Sequence, residues 1–298
     1  MNSGILYALA TYILWGFFPI YWKQLHHISA AQLIGHRILW AFIMLVLVLV
    51  TTRQWGRFRE KLNVAILKSH GLAAILLGVN WLTYVWAINH EYIIESSLGY
   101  FINPLFSVLL GMIFLKERLR PMQWIPLGLA ALGVLSLTFA YGRLPWIALI
   151  LAFSFGFYGL IKKKSTLGSL YGLTFETGII LLPAVGYLLY EINQGNGVFG
   201  QISATTDWLL IGAGAVTAIP LLLFAKAAQR ISLTMIGLMQ YIAPTIQFLI
   251  GVLLYKEEFT SSQAIGFGII WFALIFFWGE GWWVRRHKAI GSPLKASG

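Results

Sequence analysis

The sequence predicts an all-α membrane protein with ten transmembrane helices, built as two inverted five-helix repeats. Three observations lead to this fold class: the composition, ten long apolar runs, and a match between the two halves of the chain. Of the 298 residues, 59% are hydrophobic and 10% are charged, against about 25% charged in an average soluble protein. The polar residues are too few to cover a soluble domain, and the apolar and aromatic residues are too many for a disordered chain.

The ten runs follow one another along the whole chain. A bilayer core of about 30 Å needs about 20 apolar residues in a helix. Runs of that length start near Ile5, Leu33, Gly71, Ser97, Met122, Pro145, Gly172, Trp208, Thr234 and Ala264. They lack period-two alternation, which excludes a membrane β-barrel. The longest connection, Glu191 to Thr206, is too short for a soluble domain.

The charges predict the orientation of the chain. The net charge is +11 at pH 7, from 21 Lys+Arg and 10 Asp+Glu. With the N-terminus inside, 17 of these cations fall on the cytoplasmic side, 3 fall outside and Arg37 lies within a span. This positive-inside bias predicts cytoplasmic termini and an even number of spans. A nucleic-acid partner would need one basic face, and the scatter of the cations over five short segments excludes it.

The N-terminus and the cysteine count add two expectations. Met1-Asn2-Ser3 lacks the basic region and cleavage site of a signal peptide, so we expect the first span to remain in the mature protein. Cysteine is absent, which rules out disulfides and thiolate metal ligands.

The two halves match at a constant offset of 140 in the numbering. Residues 102–135 and 242–275 share nine identities in 34 positions, including Pro104/Pro244 and the Lys-Glu pairs at 116–117 and 256–257. Five spans is an odd number, so the second copy enters the membrane from the opposite side, as in many secondary transporters. This places the first repeat at 1–142, the second at 143–286 and a cytoplasmic tail at 287–298. The alternative is that the two halves match only because apolar helices have similar compositions.

Interruptions at matching positions of two halves point to a transporter binding site. Pro104 and Pro244 lie near the middle of the fourth and ninth spans. Polar side chains are costly against lipid. They lie on one face of the two proline-containing spans, and polar and aromatic residues are also grouped on the first and third spans. We expect them to line a cavity for a partly apolar solute; the alternative is hydrogen bonding that only holds helices together. The residues are Tyr12, Trp15, Asn80, Trp81, Tyr84, Tyr100, Asn103, Ser107, Gln240 and Gln247.

Two charges lie within spans and require partners or water. From the predicted span ends, Arg37 is about 6 Å deep on the outer side and Glu176 about 8 Å deep on the inner side. A direct pair between them is not expected at these depths. The expected partners are Glu95 or Glu257 for Arg37, and Lys116 or the 162–164 cluster for Glu176.

Ion coupling is a further role for these groups. His36 belongs to the residue type that titrates near neutral pH, and Glu176 is a candidate carrier of a coupling proton or other ion. For His36, Arg37 and Glu176 alike, a fixed structural role is the alternative.

Several chemistries have no motif in this chain. There is no phosphate-binding loop, no H-E-x-x-H and no G-x-S-x-G, so we expect no catalytic residues, metal or cofactor. Two small-xxx-small pairs, Ala152/Gly156 and Ala264/Gly268, favour close helix packing. The alternative is that these pairs form the interface of a homodimer.

Specific segments resemble the RarD proteins, in the EamA branch of the drug/metabolite transporter superfamily. The matching segments are Trp15-Gly16, His36-Arg37, Asn80-Trp81, residues 97–104, residues 151–155, Glu176-Thr177 and residues 240–245. The resemblance covers roughly residues 3 to 285. It implies two EamA repeats in a bacterial inner membrane that export or exchange small solutes, and it adds Tyr241 to the cavity residues. RarD proteins are described as chloramphenicol-sensitivity permeases.

The leading interpretation is a secondary transporter of small metabolites or drug-like solutes that works by alternating access. Its expected partners are the lipid bilayer, a small-molecule substrate and a coupling ion. Two alternatives stay open: a channel or sensor without active transport, and a membrane-embedded lipid-modifying enzyme.

Overall fold

A computed structural model describes residues 3–256 apart from residues 91 and 143, and nine single positions between 265 and 279 (265, 268, 269, 271–273, 275, 276 and 279). All regular structure in this part of the chain is helical. The helices are α1 (Ser3–Gly16), α2 (Phe18–Lys23), α3 (Ala30–Thr51), α4 (Trp55–Glu60), α5 (Val64–Asn89), α6 (Ile93–Leu115), α7 (Trp124–Tyr141, after a 3-10 turn at Pro121–Gln123), α8 (Trp146–Lys164), α9 (Ser169–Asn193), α10 (Ala204–Ala228), α11 (Leu233–Gln240) and α12 (Ile242–Leu249, followed by a π turn at Ile250–Leu254).

Within the described residues, eight helical stretches are long and apolar enough to cross a membrane. They are Ser3–Lys23, Ala30–Thr51, Val64–Ile88, Leu98–Leu115, Trp146–Lys164, Ser169–Asn193, Ala204–Ala228 and Leu233–Leu254. The fifth predicted span is represented by a shorter apolar helix, Pro121–Ser136. The tenth, predicted from near Ala264, falls where single positions alone are described.

Several spans start earlier than the apolar runs predict because polar side chains cap them. Ser29 accepts a hydrogen bond from the backbone of Gln32, so α3 begins at Ala30 rather than near Leu33. Asn63 accepts one from Ile66, so α5 begins seven residues before Gly71. Such caps satisfy the free N–H groups of a first helical turn. The polar residues before an apolar run therefore belong to the helix.

The helix bounds recur at the same offset in the numbering. Shifted by 140, the ranges of α3, α5 and α6 fall on those of α9, α10 and the continuous stretch 233–254, within two residues at each end. Lys116 and Lys256 follow α6 and this stretch, and they share a left-handed backbone with φ of 53° and 56°. The same local structure therefore ends equivalent helices.

Close helix contacts recur at the same offset. A Cβ added to Gly16 would lie 2.6 Å from the Cβ of Ile246, and one added to Gly156 would lie 2.5 Å from Cδ1 of Phe106. Gly16 and Gly156 occupy equivalent positions of the two halves, as do Phe106 and Ile246. The contact of α1 with α12 is therefore equivalent to the contact of α8 with α6.

The two prolines have different effects on equivalent helices. Helix α6 continues through Pro104, whereas the second copy breaks at Tyr241, between α11 and α12. Proline removes one backbone donor and its ring crowds the preceding turn. At the break, the Tyr241 hydroxyl donates to the Phe101 carbonyl at 3.2 Å, and residues 101 and 241 are themselves equivalent. This hydrogen bond joins the centres of the two helices.

We expect Gly16→Ala to destabilise the protein by about 1–3 kcal/mol, the usual cost of overpacking, because Ile246 leaves no room for a Cβ. Gly186→Ala is the matched control, since nothing lies within 4 Å of a Cβ added there. Thermal unfolding in detergent should lower the Tm of Gly16→Ala alone. Equal Tm values for the two variants would contradict this close contact.

Candidate functional site

Arg37 lies in a region of the bundle where it has no acidic partner among the described residues. It is seven residues into α3, or about 10 Å along the helix axis from its first residue. Its Nε donates to the hydroxyl of Thr217 on α10 at 3.0 Å. The carboxylate of Glu95, an expected partner, accepts instead from the backbone N–H of Ile147 at 2.7 Å. Glu257, the other expected partner, lies outside the described residues.

Aromatic rings surround the Arg37 guanidinium. Its carbon lies 4.6 Å from the ring centroid of Trp22 and 5.5 Å from that of Trp81. Tyr84 and Tyr100 are close enough to interact with it electrostatically, and their own rings are 6.4 Å apart. Tyr100 is 46% exposed and Arg37 is partly exposed. This group, which we call the Arg37 site (Trp22, Arg37, Trp81, Tyr84 and Tyr100), therefore joins helices α2, α3, α5 and α6 around an accessible cation.

The polar residues near the prolines form two groups: those with an unpartnered side-chain oxygen and those that pack or hydrogen-bond between helices. The amide oxygens of Asn103 and Gln240 are buried without a hydrogen-bond partner in the described part of the chain. Ser107 is buried where α6 crosses Gly237 of α11, so it packs between helices. Tyr241 is also buried and bonded to Phe101. Asn103 and Gln240 thus keep free acceptors, whereas Ser107 and Tyr241 join the two helices.

Other predicted cavity residues hold helices together. The Asn80 amide donates to the Leu151 carbonyl at 2.9 Å and the Ser154 hydroxyl at 3.0 Å. Gln247 donates to the Trp15 carbonyl at 2.9 Å. Tyr12 is buried next to Trp15, and its hydroxyl lies close to the side chain of Gln240. Asn80 thereby links α5 to α8, and Gln247 links α12 to α1.

Glu176 lies in a separate, fully buried charged cluster. Lys162 donates to its two carboxylate oxygens at 2.7 and 2.9 Å, and the Tyr158 hydroxyl donates to one of them at 3.1 Å. Nδ1 of His70 lies 2.5 Å from the other oxygen. These four side chains, the Glu176 cluster, are each at most about 1% exposed. The predicted partner within the 162–164 cluster is confirmed as Lys162, which is buried in α8 and not in a connection as the charge count assumed.

His70 was not predicted from the sequence. It lies on α5, 106 residues before Glu176, and it belongs to no motif that could have indicated the contact. Its Nε2 is 2.9 Å from the Ser165 hydroxyl. Together, His70 and Ser165 line a pocket of about 730 Å³ with residues of α5, α6 and α8. His70 therefore belongs both to the Glu176 cluster and to the wall of this pocket.

His36 occupies the position equivalent to Glu176 in the first half of the chain. It is buried, and its ring stacks on Phe199 with 5.7 Å between centroids. Its Nδ1 has no hydrogen-bond partner among the described residues. His36 therefore has an aromatic neighbour where Glu176 has a cation.

These features define the class of protein: a multi-pass helical membrane protein with polar groups gathered inside the bundle. Residues 2–139 and 144–279 each match the EamA-like transporter family, and the chain belongs to that family. It is 46% identical over 295 residues to an uncharacterized transporter, YojE, of Bacillus subtilis, covering 97% of this chain and 98% of that one. It is 43% identical to Protein RarD of Streptomyces exfoliatus, covering 97% and 92%. These relatives make it a RarD-type member of the family.

A solved structure supports the fold. A crystal structure of another protein matches 92% of this chain and 97% of that chain with a TM-score of 0.71 and 17% identity. At this identity the likeness extends to the fold alone.

Removing one charge of the Glu176 cluster should strongly destabilise the protein. Glu176→Gln or Lys162→Met alone leaves the other charge buried and unpaired, which costs about 3–5 kcal/mol. The double variant Glu176→Gln/Lys162→Met removes both charges and should recover most of that loss. Thermal unfolding in detergent measures all three. A double variant as unstable as the sum of the single variants would show that the ion pair is not the main interaction there.

Proposed function

We propose that this protein is a secondary transporter of small metabolites or drug-like solutes that works by alternating access of two inverted repeats. The observation that carries the proposal is the recurrence of helix bounds and helix contacts at one constant offset, with a proline in each copy of the central helix. Two copies related in this way can rock against each other around a site between them, as inverted-repeat transporters do.

The proposed division of the chain follows from the same recurrence. The first repeat comprises residues 1–142 and the second residues 143–286, giving ten transmembrane helices, with 287–298 as a cytoplasmic tail. The two family matches, at 2–139 and 144–279, support this division. The charge distribution supports cytoplasmic termini, and the family membership supports a bacterial inner membrane as the location. The contact of Gly156 with Phe106 uses one small-residue pair within the chain and so favours packing over a homodimer at that position.

The proposed solute cavity combines the Arg37 site with the free amides near the prolines. Asn103 lies one turn beyond Tyr100 on α6, and the side-chain oxygens of Asn103 and Gln240 have no hydrogen-bond partner in the described part of the chain. Buried polar groups without partners are uncommon and call for an explanation, and a bound solute gives one. Chloramphenicol-related compounds are among the candidate solutes because of the family resemblance.

Two other functions compete with transport by a carrier. A channel or sensor would use the same spans without alternating access. A lipid-modifying enzyme would need a nucleophile or metal constellation, which the sequence motifs do not supply. The names of the relatives favour a transporter over an enzyme.

Counterflow in proteoliposomes tests the proposal. Vesicles with the purified full-length protein are preloaded with unlabelled chloramphenicol or one of the amino acids, then given the labelled form outside. A carrier should accumulate label transiently above equilibrium for at least one solute, and saturably. Absence of counterflow for every solute, or steady single-channel currents, would contradict a carrier.

Asn103→Leu should abolish this counterflow because it removes a free acceptor from the proposed cavity. The matched control is Asn193→Leu, at the exposed end of α9, which should transport normally. Equal Tm values would show that both variants fold. Unchanged counterflow with Asn103→Leu would mean that the site lies elsewhere.

A further inference from the structure

Arg37 and Lys162 are two cations within spans that have opposite surroundings. Lys162 is buried and neutralised by Glu176. Arg37 is partly exposed, and its hydrogen bond to the neutral Thr217 is the one such bond it makes within the described residues. Charges inside a membrane protein usually pair with each other or face a watery cavity that serves function. Arg37 therefore has the surroundings of a ligand-binding charge.

The chemistry of the Arg37 site indicates what it would bind. An arginine guanidinium presents a planar fork of donors that matches the two oxygens of a carboxylate. The Nε–Thr217 bond orients this fork and leaves the terminal nitrogens available. The flanking rings of Trp22, Trp81, Tyr84 and Tyr100 provide apolar surface against which an aromatic or aliphatic group can pack.

The charge balance separates a carboxylate from a phosphate. The site has a single positive charge, which one carboxylate would neutralise. A phosphate monoester carries about −1.5 to −2 at pH 7, and binding it would leave excess negative charge inside a span. Asn103, three residues beyond Tyr100 and so about 4.5 Å farther along the helix axis, adds an acceptor for an N–H or O–H group of the solute.

We propose that Arg37 binds the carboxylate of the transported solute, whose apolar portion packs against the aromatic rings of the Arg37 site. The inference rests on the proposed transport function and names its substrate class: monoanionic or zwitterionic carboxylates with an apolar group.

Matched probes that differ in one charge test the proposal. 3-Phenylpropionate and 3-phenylpropionamide share the apolar group, and phenyl phosphate replaces the carboxylate. Each is titrated against the purified full-length protein at constant ionic strength, with the rise in Tm as the measure of binding, since a ligand of the folded state raises stability. The acid should bind at least about tenfold more tightly than the amide, the range expected for hydrogen bonds to charged groups.

Variants assign the effect to Arg37. Arg37→Gln should remove the preference for the acid while leaving the amide unaffected, and Arg37→Lys should retain part of it. Arg57→Gln, an exposed arginine on α4, is the matched control and should behave as the wild type. If Arg37→Gln does not fold, protection of wild-type Arg37 from phenylglyoxal by 3-phenylpropionate, read by mass spectrometry, gives the same answer.

Two results would overturn the inference: equal stabilisation by the acid and the amide, including none by either, or tighter binding of phenyl phosphate. Counterflow distinguishes this failure from failure of the proposed function. Wild-type counterflow together with equal stabilisation by the acid and the amide would leave a carrier without a carboxylate site at Arg37. Absence of counterflow by the wild-type protein for every solute would reject the proposed carrier function.

Discussion

The lack of hydrogen-bonding solvent in the bilayer core is the constraint on which this structure depends. Backbone groups there must be satisfied within helices, and polar side chains must find partners inside the bundle. Two acids follow this rule: Glu176 binds Lys162, and the Glu117 carboxylate accepts from the first backbone N–H groups of α11, at 2.7 Å for Leu233 and 2.9 Å for Thr234. Against that background Arg37, partly exposed and without an acidic partner among the described residues, is the exception that needs a function.

The two halves share a framework but differ in the side chains that it positions. The glycines at 16 and 156 make equivalent contacts. Asn80 and Leu151 are equivalent to Pro220 and Thr11, and both pairs are hydrogen-bonded with the donor exchanged: Asn80 donates to the Leu151 carbonyl, whereas the Thr11 hydroxyl donates to the Pro220 carbonyl at 3.4 Å. The functional positions do not follow this symmetry. His36 is equivalent to Glu176, and Arg37 to Thr177. One half therefore encloses the buried ion pair of Glu176 and Lys162, and the other presents a partly exposed cation, Arg37, among aromatic rings.

Features that repeat or that follow hydropathy could be predicted from the sequence. Helix positions, the constant offset between the halves and a cation of the 162–164 cluster beside Glu176 belong to this group, because each depends on local composition or on a short stretch of chain. Features that depend on packing could not. His70 contacts Glu176 across 106 residues of sequence, and the first residue of α3 depends on a cap at Ser29. The amide of Asn80 could not be assigned to α8 rather than to a cavity until its neighbours were known.

The inverted relation of the two halves is the central claim, and cysteine labelling tests it most directly. The chain has no cysteine, so each single-cysteine variant has one reactive thiol. His26 and Thr166 are equivalent exposed positions after α2 and α8, and Gly56 and Asn196 are a second equivalent pair. In intact cells, a membrane-impermeant maleimide should label His26→Cys and Asn196→Cys, and should label Gly56→Cys and Thr166→Cys only after permeabilisation. Labelling of both members of a pair from the same side would contradict the inverted repeat.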